Sequence, residues 1–155
     1  MTEVGFYHLT RSTLEDALPR LLEKAYAAGL RVLVRGTDPE RIELLTRALW
    51  TYTKESFLPH GTRADGHPEL QPIFLTVGEE NPNGATLLVL ADGASAPDLD
   101  RFDRCLELFD GGDPEAVERA RQRWREVLDR GHAAVYWQQN ERGGWVKAAE
   151  KSVAG

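Results

Sequence analysis

The fold is decided by residues 3–50, EVGFYHLTRSTLEDALPRLLEKAYAAGLRVLVRGTDPERIELLTRALW. Residues 3–9 and 31–35 are short runs of apolar, aromatic and β-branched side chains, which are typical of strands. Apolar side chains recur at helical spacing after each run, so each strand is followed by a helix. This alternation predicts βαβ units, and hence an α/β fold with a mostly parallel sheet flanked by helices.

Both helices carry signals for their ends. Ser12 begins the pattern S-x-x-E with Glu15, which predicts a capping box at the first helix. Gly29 ends that helix, because glycine adopts the left-handed conformation found there. Asp38 followed by Pro39 predicts the start of the second helix, since the carboxylate caps free amides and proline suits the first helical position.

The remainder of the chain continues a single domain. Residues 52–72 are irregular and rich in proline and glycine, whereas residues 73–77 and 86–91 are nearly continuous apolar runs. Such runs are typical of central strands covered on both faces. Because we find no linker or repeat, we expect one domain over residues 1–150 and a short tail at residues 151–155.

Further elements are expected in the second half of the chain. Apolar residues over 98–109 predict a helix with Cys105, the only cysteine, buried on its apolar stripe. Asp113, followed by a proline, predicts the start of a helix over residues 114–130. Residues 132–147 alternate in polarity and predict strands joined by a turn.

Composition limits the class of partner. The chain has 155 residues and a net charge of −6, from 25 acidic and 19 basic side chains. Affinity for nucleic acid comes mainly from cations that neutralise phosphates, so direct nucleic-acid binding is disfavoured. A single cysteine fits a reducing compartment. With no signal-peptide pattern and no membrane span in sight, we expect a cytoplasmic protein.

The sequence lacks the usual phosphate-binding loops of α/β enzymes. Neither G-x-x-x-x-G-K-[ST] nor G-x-G-x-x-G occurs in it. The turn after the second strand carries Asp38 in place of a lysine, and this acid would repel a phosphate. We therefore expect no cofactor and no catalysis.

A small α/β hydrolase or transferase is the alternative. Asp92 follows an apolar run, at a position where α/β enzymes often carry an acid, and His60 and His67 lie in a loop with Asp65 and Glu69. The spacing of the loop residues matches no zinc pattern, so we expect no metal. A cleft that holds Asp92, His60 and His67 together would favour the enzyme.

A basic and aromatic strip stands out on the helix over residues 114–130. We define the basic strip as Arg121, Trp124, Arg125 and Leu128, which are neighbours at helical spacing. Two guanidiniums beside apolar side chains suit a peptide that offers carboxylates and an apolar group. The alternative is a solvated helix face whose arginines pair with acids of the same helix, Glu118, Glu126 and Asp129.

A second feature lies in the irregular segment. Phe57 and Leu58 are large apolar residues in a segment rich in proline and glycine, shortly after Trp50 at the end of a helix. They predict either an apolar surface for a partner protein or loop side chains that fill the core.

Five segments together resemble one known family, the chi subunits of bacterial DNA polymerase III. The segments follow the family order, and they are FYHL (6–9), GLRVLV (29–34), ALW (48–50), ESFLPH (55–60) and ARQRWR (120–125). The resemblance implies a single Rossmann-like domain without nucleotide binding, in a non-catalytic subunit associated with the clamp loader.

The resemblance also implies partners. Chi subunits pair with the psi subunit and bind the acidic C-terminal tail of single-stranded DNA-binding protein. The tail-binding positions match Arg121, Trp124 and Arg125, and the last two keep the aromatic and cationic character of the family. Trp50 and Phe57 match positions tied to psi and to helicase-like partners. Residues 138–155 depart from the family pattern.

Overall fold

The computed structural model describes residues 2–52, 58–142 and 144–151. The elements are β1 (Glu3–Leu9), α1 (Leu14–Ala27), β2 (Val32–Arg35), α2 (Pro39–Thr51), β3 (His60–Gly61), β4 (Ile73–Thr76), β5 (Leu87–Leu90), β6 (Arg104–Asp110), α3 (Pro114–Asp129), β7 (Ala133–Gln139) and β8 (Trp145–Lys151). Short 3₁₀ turns lie at Arg63–Asp65, Pro68–Leu70 and Leu99–Arg101. In this part of the chain no helix is long and apolar enough to cross a membrane.

All strands belong to one sheet in the order β3-β4-β2-β5-β6-β1-β7-β8. Every pairing is parallel except that of β7 with β8, which is antiparallel. Helices α1 and α2 cover one face of the sheet, and α3 covers the other. The predicted α/β fold with a mostly parallel sheet is therefore confirmed.

The helix ends follow the predicted chemistry with one correction. Asp38 and Asp113 cap α2 and α3 through backbone amides of the first turn, and Gly29 follows α1 with a φ of +79°. The cap of α1 is Thr13 rather than Ser12, whose amide and hydroxyl instead contact the Gln139 side chain. The predicted capping box at Ser12 is therefore wrong by one residue.

The predicted helix over residues 98–109 is wrong. Only Leu99–Arg101 form a helical turn, and residues 104–110 are β6, which lies between β5 and β1 in the centre of the sheet. Cys105 packs towards α3, whereas Leu106 packs towards α1. A strand buried on both faces is apolar at every position, so it also satisfies helical spacing by chance. Cys105 is buried as predicted, but on a strand, and burial raises the pKa of its thiol.

Candidate functional site

A groove of about 480 Å³ lies between α3 and the last two strands; we call it the α3–β8 groove. Its walls are formed by Ala120, Arg121, Trp124, Arg125, Tyr136, Ala149, Glu150 and Lys151. The structure thus brings three of the four residues of the basic strip into one groove. The opposite wall, on β7 and β8, was not predicted.

Trp124 forms the apolar floor of this groove. The apolar stripe of α3 is buried against the sheet through small residues, including Ala116 and Ala120, so the helix lies close to the strands. The half-buried indole of Trp124 is held between Phe6, 5.4 Å away between ring centroids, and Tyr136, 6.2 Å away. Both contacts are tilted or edge-to-face, which are favourable aromatic geometries. The indole is therefore positioned before any partner arrives.

The two arginines of the groove have little neutralisation from their own helix. Arg121 is 68% exposed, and its guanidinium lies 4.0 Å from the Glu118 carboxylate, at the limit of an ion pair. Among the described residues, no carboxylate lies within 4.0 Å of Arg125. An exposed pair of this kind contributes about 0–1 kcal/mol. The pairing that the solvated-face alternative requires is thus almost absent.

The β8 wall adds a third cation. Lys151 lines the groove together with Glu150, whose carboxylate lies 3.1 Å from the ammonium of Lys147. The groove therefore presents three cationic side chains against one acid, and that acid already has a partner. In a chain whose net charge is −6, this local excess of positive charge favours an acidic ligand.

A polar pair lies beneath the groove. The Tyr136 hydroxyl and the Nδ1 atom of His8 are 2.5 Å apart. The pKa of His8 is lowered because burial disfavours its charged form and because the nearby Arg121 repels it, with Asp110 acting in the opposite direction. The charge of Arg121 thus also acts on His8, which is only partly buried.

Leu128 differs from the other members of the basic strip. It packs against the core between α3 and the sheet, and the groove is lined without it. Its part at the site is to support α3 rather than to form the groove wall.

The second predicted surface is only partly described. Trp50 is 55% exposed at the end of α2, and its ring centroid lies 4.8 Å from that of His60. Leu58 is 1% exposed and lies in the core beneath α1 and α2, so it supports this region from within. Phe57 lies outside the described residues. The exposed side chain of Trp50 is therefore the part of this predicted surface that the described residues show.

The residues of the enzyme alternative are not brought together. Asp92 follows the carboxyl end of β5, where its carboxylate is bound by Arg41 at 3.0 Å. His60 is on β3, opposite the first residue of β4, and two strands separate β3 from β5. His67 is exposed, 3.9 Å from the Glu69 carboxylate. Across the described ranges, no three His, Cys, Asp or Glu residues group as metal ligands would.

The comparisons with known proteins agree on one family. The chain matches the family described as DNA polymerase III chi subunit, HolC, over residues 1–135. It is similar to the probable DNA polymerase III subunit chi of Rickettsia prowazekii, with 37% identity over 90 residues, 58% of this chain and 54% of that protein. It is also similar to the DNA polymerase III subunit chi of Pseudomonas aeruginosa, with 29% identity over 135 residues, 85% of this chain and 93% of that protein.

The matched part thus spans about half the length of the Rickettsia protein and nearly all of the Pseudomonas protein. The family match ends at residue 135, before Tyr136 and β8, so one wall of the α3–β8 groove lies outside it. Since the match covers β1 to the middle of β7, this chain belongs to the DNA polymerase III chi subunit family.

Proposed function

We propose that this chain is a non-catalytic accessory subunit of DNA polymerase III and binds the acidic C-terminal tail of single-stranded DNA-binding protein in the α3–β8 groove. A separate surface around Trp50 binds the psi subunit or a helicase-like partner. The chain then acts as an adaptor between the clamp-loader complex and protein-coated single strands. Membership of the family supports the role in replication.

One observation carries the tail-binding proposal. A positioned indole lies between cations that have little or no neutralisation within the described chain. The tail is expected to carry aspartates, an apolar last residue and a terminal carboxylate. The carboxylates bind the guanidiniums of Arg121 and Arg125, one helical turn apart, and the apolar residue covers Trp124 and Tyr136.

The affinity follows from the exposure of these groups. Each exposed charge pair contributes about 0–1 kcal/mol, and burial of one large apolar side chain contributes about 1.5–3 kcal/mol. Neither contribution alone gives stable binding, so the charges and the apolar anchor are both needed. Because the charges face solvent, added salt weakens the complex.

The test is titration of a synthetic tail peptide into the wild-type protein, Arg125→Ala and Arg125→Glu at low and at high salt. We expect charge reversal to weaken binding more than truncation does, and both differences to shrink at high salt. Arg47→Ala is the matched control, because Arg47 is 75% exposed on α2, on the other face of the sheet. Equal affinities in all four proteins would place the tail elsewhere.

The apolar anchor and the β8 wall need their own variants. Deletion of the last residue of the peptide is expected to abolish binding to the wild-type protein. Lys151→Ala is expected to weaken binding as Arg125→Ala does, because both cations line the same groove. If Lys151→Ala binds as the wild type does while Arg125→Ala does not, the peptide lies along α3 alone.

The psi surface is tested independently. We expect Trp50→Ala to weaken binding of psi or of a helicase-like partner and to leave tail-peptide affinity unchanged, because Trp50 is on the opposite side of the sheet from α3. Phe57→Ala is expected to act in the same way. A Trp50 variant that binds psi normally would remove this residue from the proposed interface.

A further inference from the structure

A second cavity lies at the carboxyl edge of the sheet, between β1 and β6. The chain leaves β1 for α1 on one face of the sheet and leaves β6 for α3 on the other face. Neighbouring parallel strands whose connections diverge in this way form a topological switch point, where open α/β sheets bind ligands. The cavity, of about 380 Å³, opens there between the first turns of α1 and α3; we call it the switch-point cleft.

The lining of this cleft is acidic. Its carboxylates outnumber its guanidiniums, and the charged lining residues are Glu15, Asp92, Glu107, Asp110 and Asp113 against Arg41 and Arg119. The first turns of both helices are already capped, α1 by Thr13 and α3 by Asp113, through amides of the same turn. An anion would therefore meet a negative field, whereas a cation would meet a favourable field.

Several of these charges are already engaged within the protein. Arg41 donates to Glu15 and also to both carboxylate oxygens of Asp92, at 3.0 Å and 3.2 Å. Asp92 adopts a left-handed backbone with a φ of +54°, which is uncommon outside glycine and tends to mark functional positions. Asp110 accepts the amide of Gly112 through one oxygen, at 2.8 Å.

Glu107 is the exception. It is 4% exposed and lines both the switch-point cleft and a neighbouring cavity against α3, and one of its oxygens, Oε2, has no hydrogen-bond partner among the described residues. Its other oxygen, Oε1, lies 3.8 Å from the Nε atom of Arg123, which is an ion pair but too long for a hydrogen bond. A buried carboxylate oxygen without a partner is costly, so a ligand that donates to it is strongly favoured.

We propose that the switch-point cleft binds an alkylguanidinium or alkylammonium group, which donates to Oε2 of Glu107 and is surrounded by the acidic lining. A lysine or arginine side chain and a free polyamine share this chemistry. The acids do not converge as ligands of a metal ion do, which favours an organic cation over a divalent metal. The site is distinct from the α3–β8 groove, because the two cavities share no lining residue.

The test uses the full chain at pH 8 and three probes: agmatine, spermidine and a short peptide with one central arginine. Each is titrated by calorimetry into the wild-type protein and into Glu107→Gln, whose fold is checked by circular dichroism. Glu43→Gln is the control, because Glu43 is an exposed acid on α2 and lines neither of the two cavities that Glu107 lines. We expect at least a tenfold loss of affinity in Glu107→Gln and no change in the control.

The three probes distinguish a free cation from a cationic side chain of a partner protein. Tighter binding of agmatine or spermidine than of the peptide identifies a free cation as the ligand, and tighter binding of the peptide identifies a partner side chain. If none of the probes binds at millimolar concentration, or if both variants lose affinity equally, the cleft is not a cation site. The tail-binding proposal is unaffected by either outcome, because it rests on the other groove.

Discussion

Replacement of Glu107 by glutamine is expected to change the pH dependence of stability. Burial raises the pKa of Glu107 to about 7, with Arg123 opposing the shift in part, whereas the usual value is 4.5. Because the folded pKa is the higher one, the folded state holds the proton more tightly than the unfolded state. The resulting stabilisation is fully present below pH 4.5 and is lost as the pH rises through about 7.

The magnitude follows from the two pKa values. The difference between about 7 and 4.5 corresponds to about 3 kcal/mol of unfolding free energy, lost between acidic and mildly alkaline pH. Glutamine keeps the size and hydrogen-bonding capacity of the side chain but has no proton to lose. We therefore expect Glu107→Gln to gain up to about 3 kcal/mol relative to wild type between pH 4.5 and pH 8.

The assay is urea unfolding of both proteins from pH 4.5 to pH 8, with the difference in unfolding free energy plotted against pH. Other titrating groups cancel in that difference, so its slope reports Glu107 alone. Glu43→Gln, an exposed acid on α2, is the control and should give a flat line. A flat line for Glu107→Gln as well would mean that the carboxyl is solvated in the folded state and that its pKa is not raised.

Three further substitutions test one residue of the groove, one of the core and one exposed on α2. Arg121→Gln should raise the pKa of His8, measured by NMR, because the cation that helps to lower it is removed; an unchanged value would mean that burial alone sets it. Leu58→Ala should lower the unfolding free energy by about 2–5 kcal/mol, since the side chain is fully buried, and a cost near zero would contradict its place in the core. Trp50→Ala should leave the melting temperature nearly unchanged, and a large fall would show that the indole stabilises the fold.

The sequence predicted the local elements well where their signals are local. The caps at Asp38 and Asp113 and the end of α1 at Gly29 depend on a few neighbouring residues, and the structure confirms them. Thr13 displaced Ser12 as the cap of α1 because Ser12 is held by Gln139, more than a hundred residues away. A contact between residues so far apart in the chain cannot be predicted from the local sequence pattern.

The centre of the sheet was harder to predict. The segment containing Cys105 has apolar residues on both sides of β6, because helices or loops cover both faces of that strand. Such a segment shows neither the alternating polarity of a half-exposed strand nor the polar face of a surface helix. Its length and the spacing of its apolar residues therefore suggested a helix. The segment forms a strand because it pairs with β5 and β1 on either side.

Half of the candidate site was visible in the sequence. Arg121, Trp124 and Arg125 are close together along one helix, so their spacing shows that they share a face. Tyr136 joins them through the pairing of β7 with β1, and Lys151 through the antiparallel pairing of β8 with β7, and both pairings are tertiary properties. A signal for that wall existed in the alternation over residues 132–147, but it does not show which face meets α3.

A charge-swap cycle between the α3–β8 groove and the tail peptide tests whether Arg125 faces the tail. Wild-type protein and Arg125→Glu are each titrated with the native peptide and with peptides in which one aspartate at a time is replaced by lysine. We expect one of the lysine peptides to bind Arg125→Glu several-fold better than the native peptide does, because the new pair restores the attraction. Strictly additive losses for every aspartate would contradict it, since Arg125 would then not face the tail.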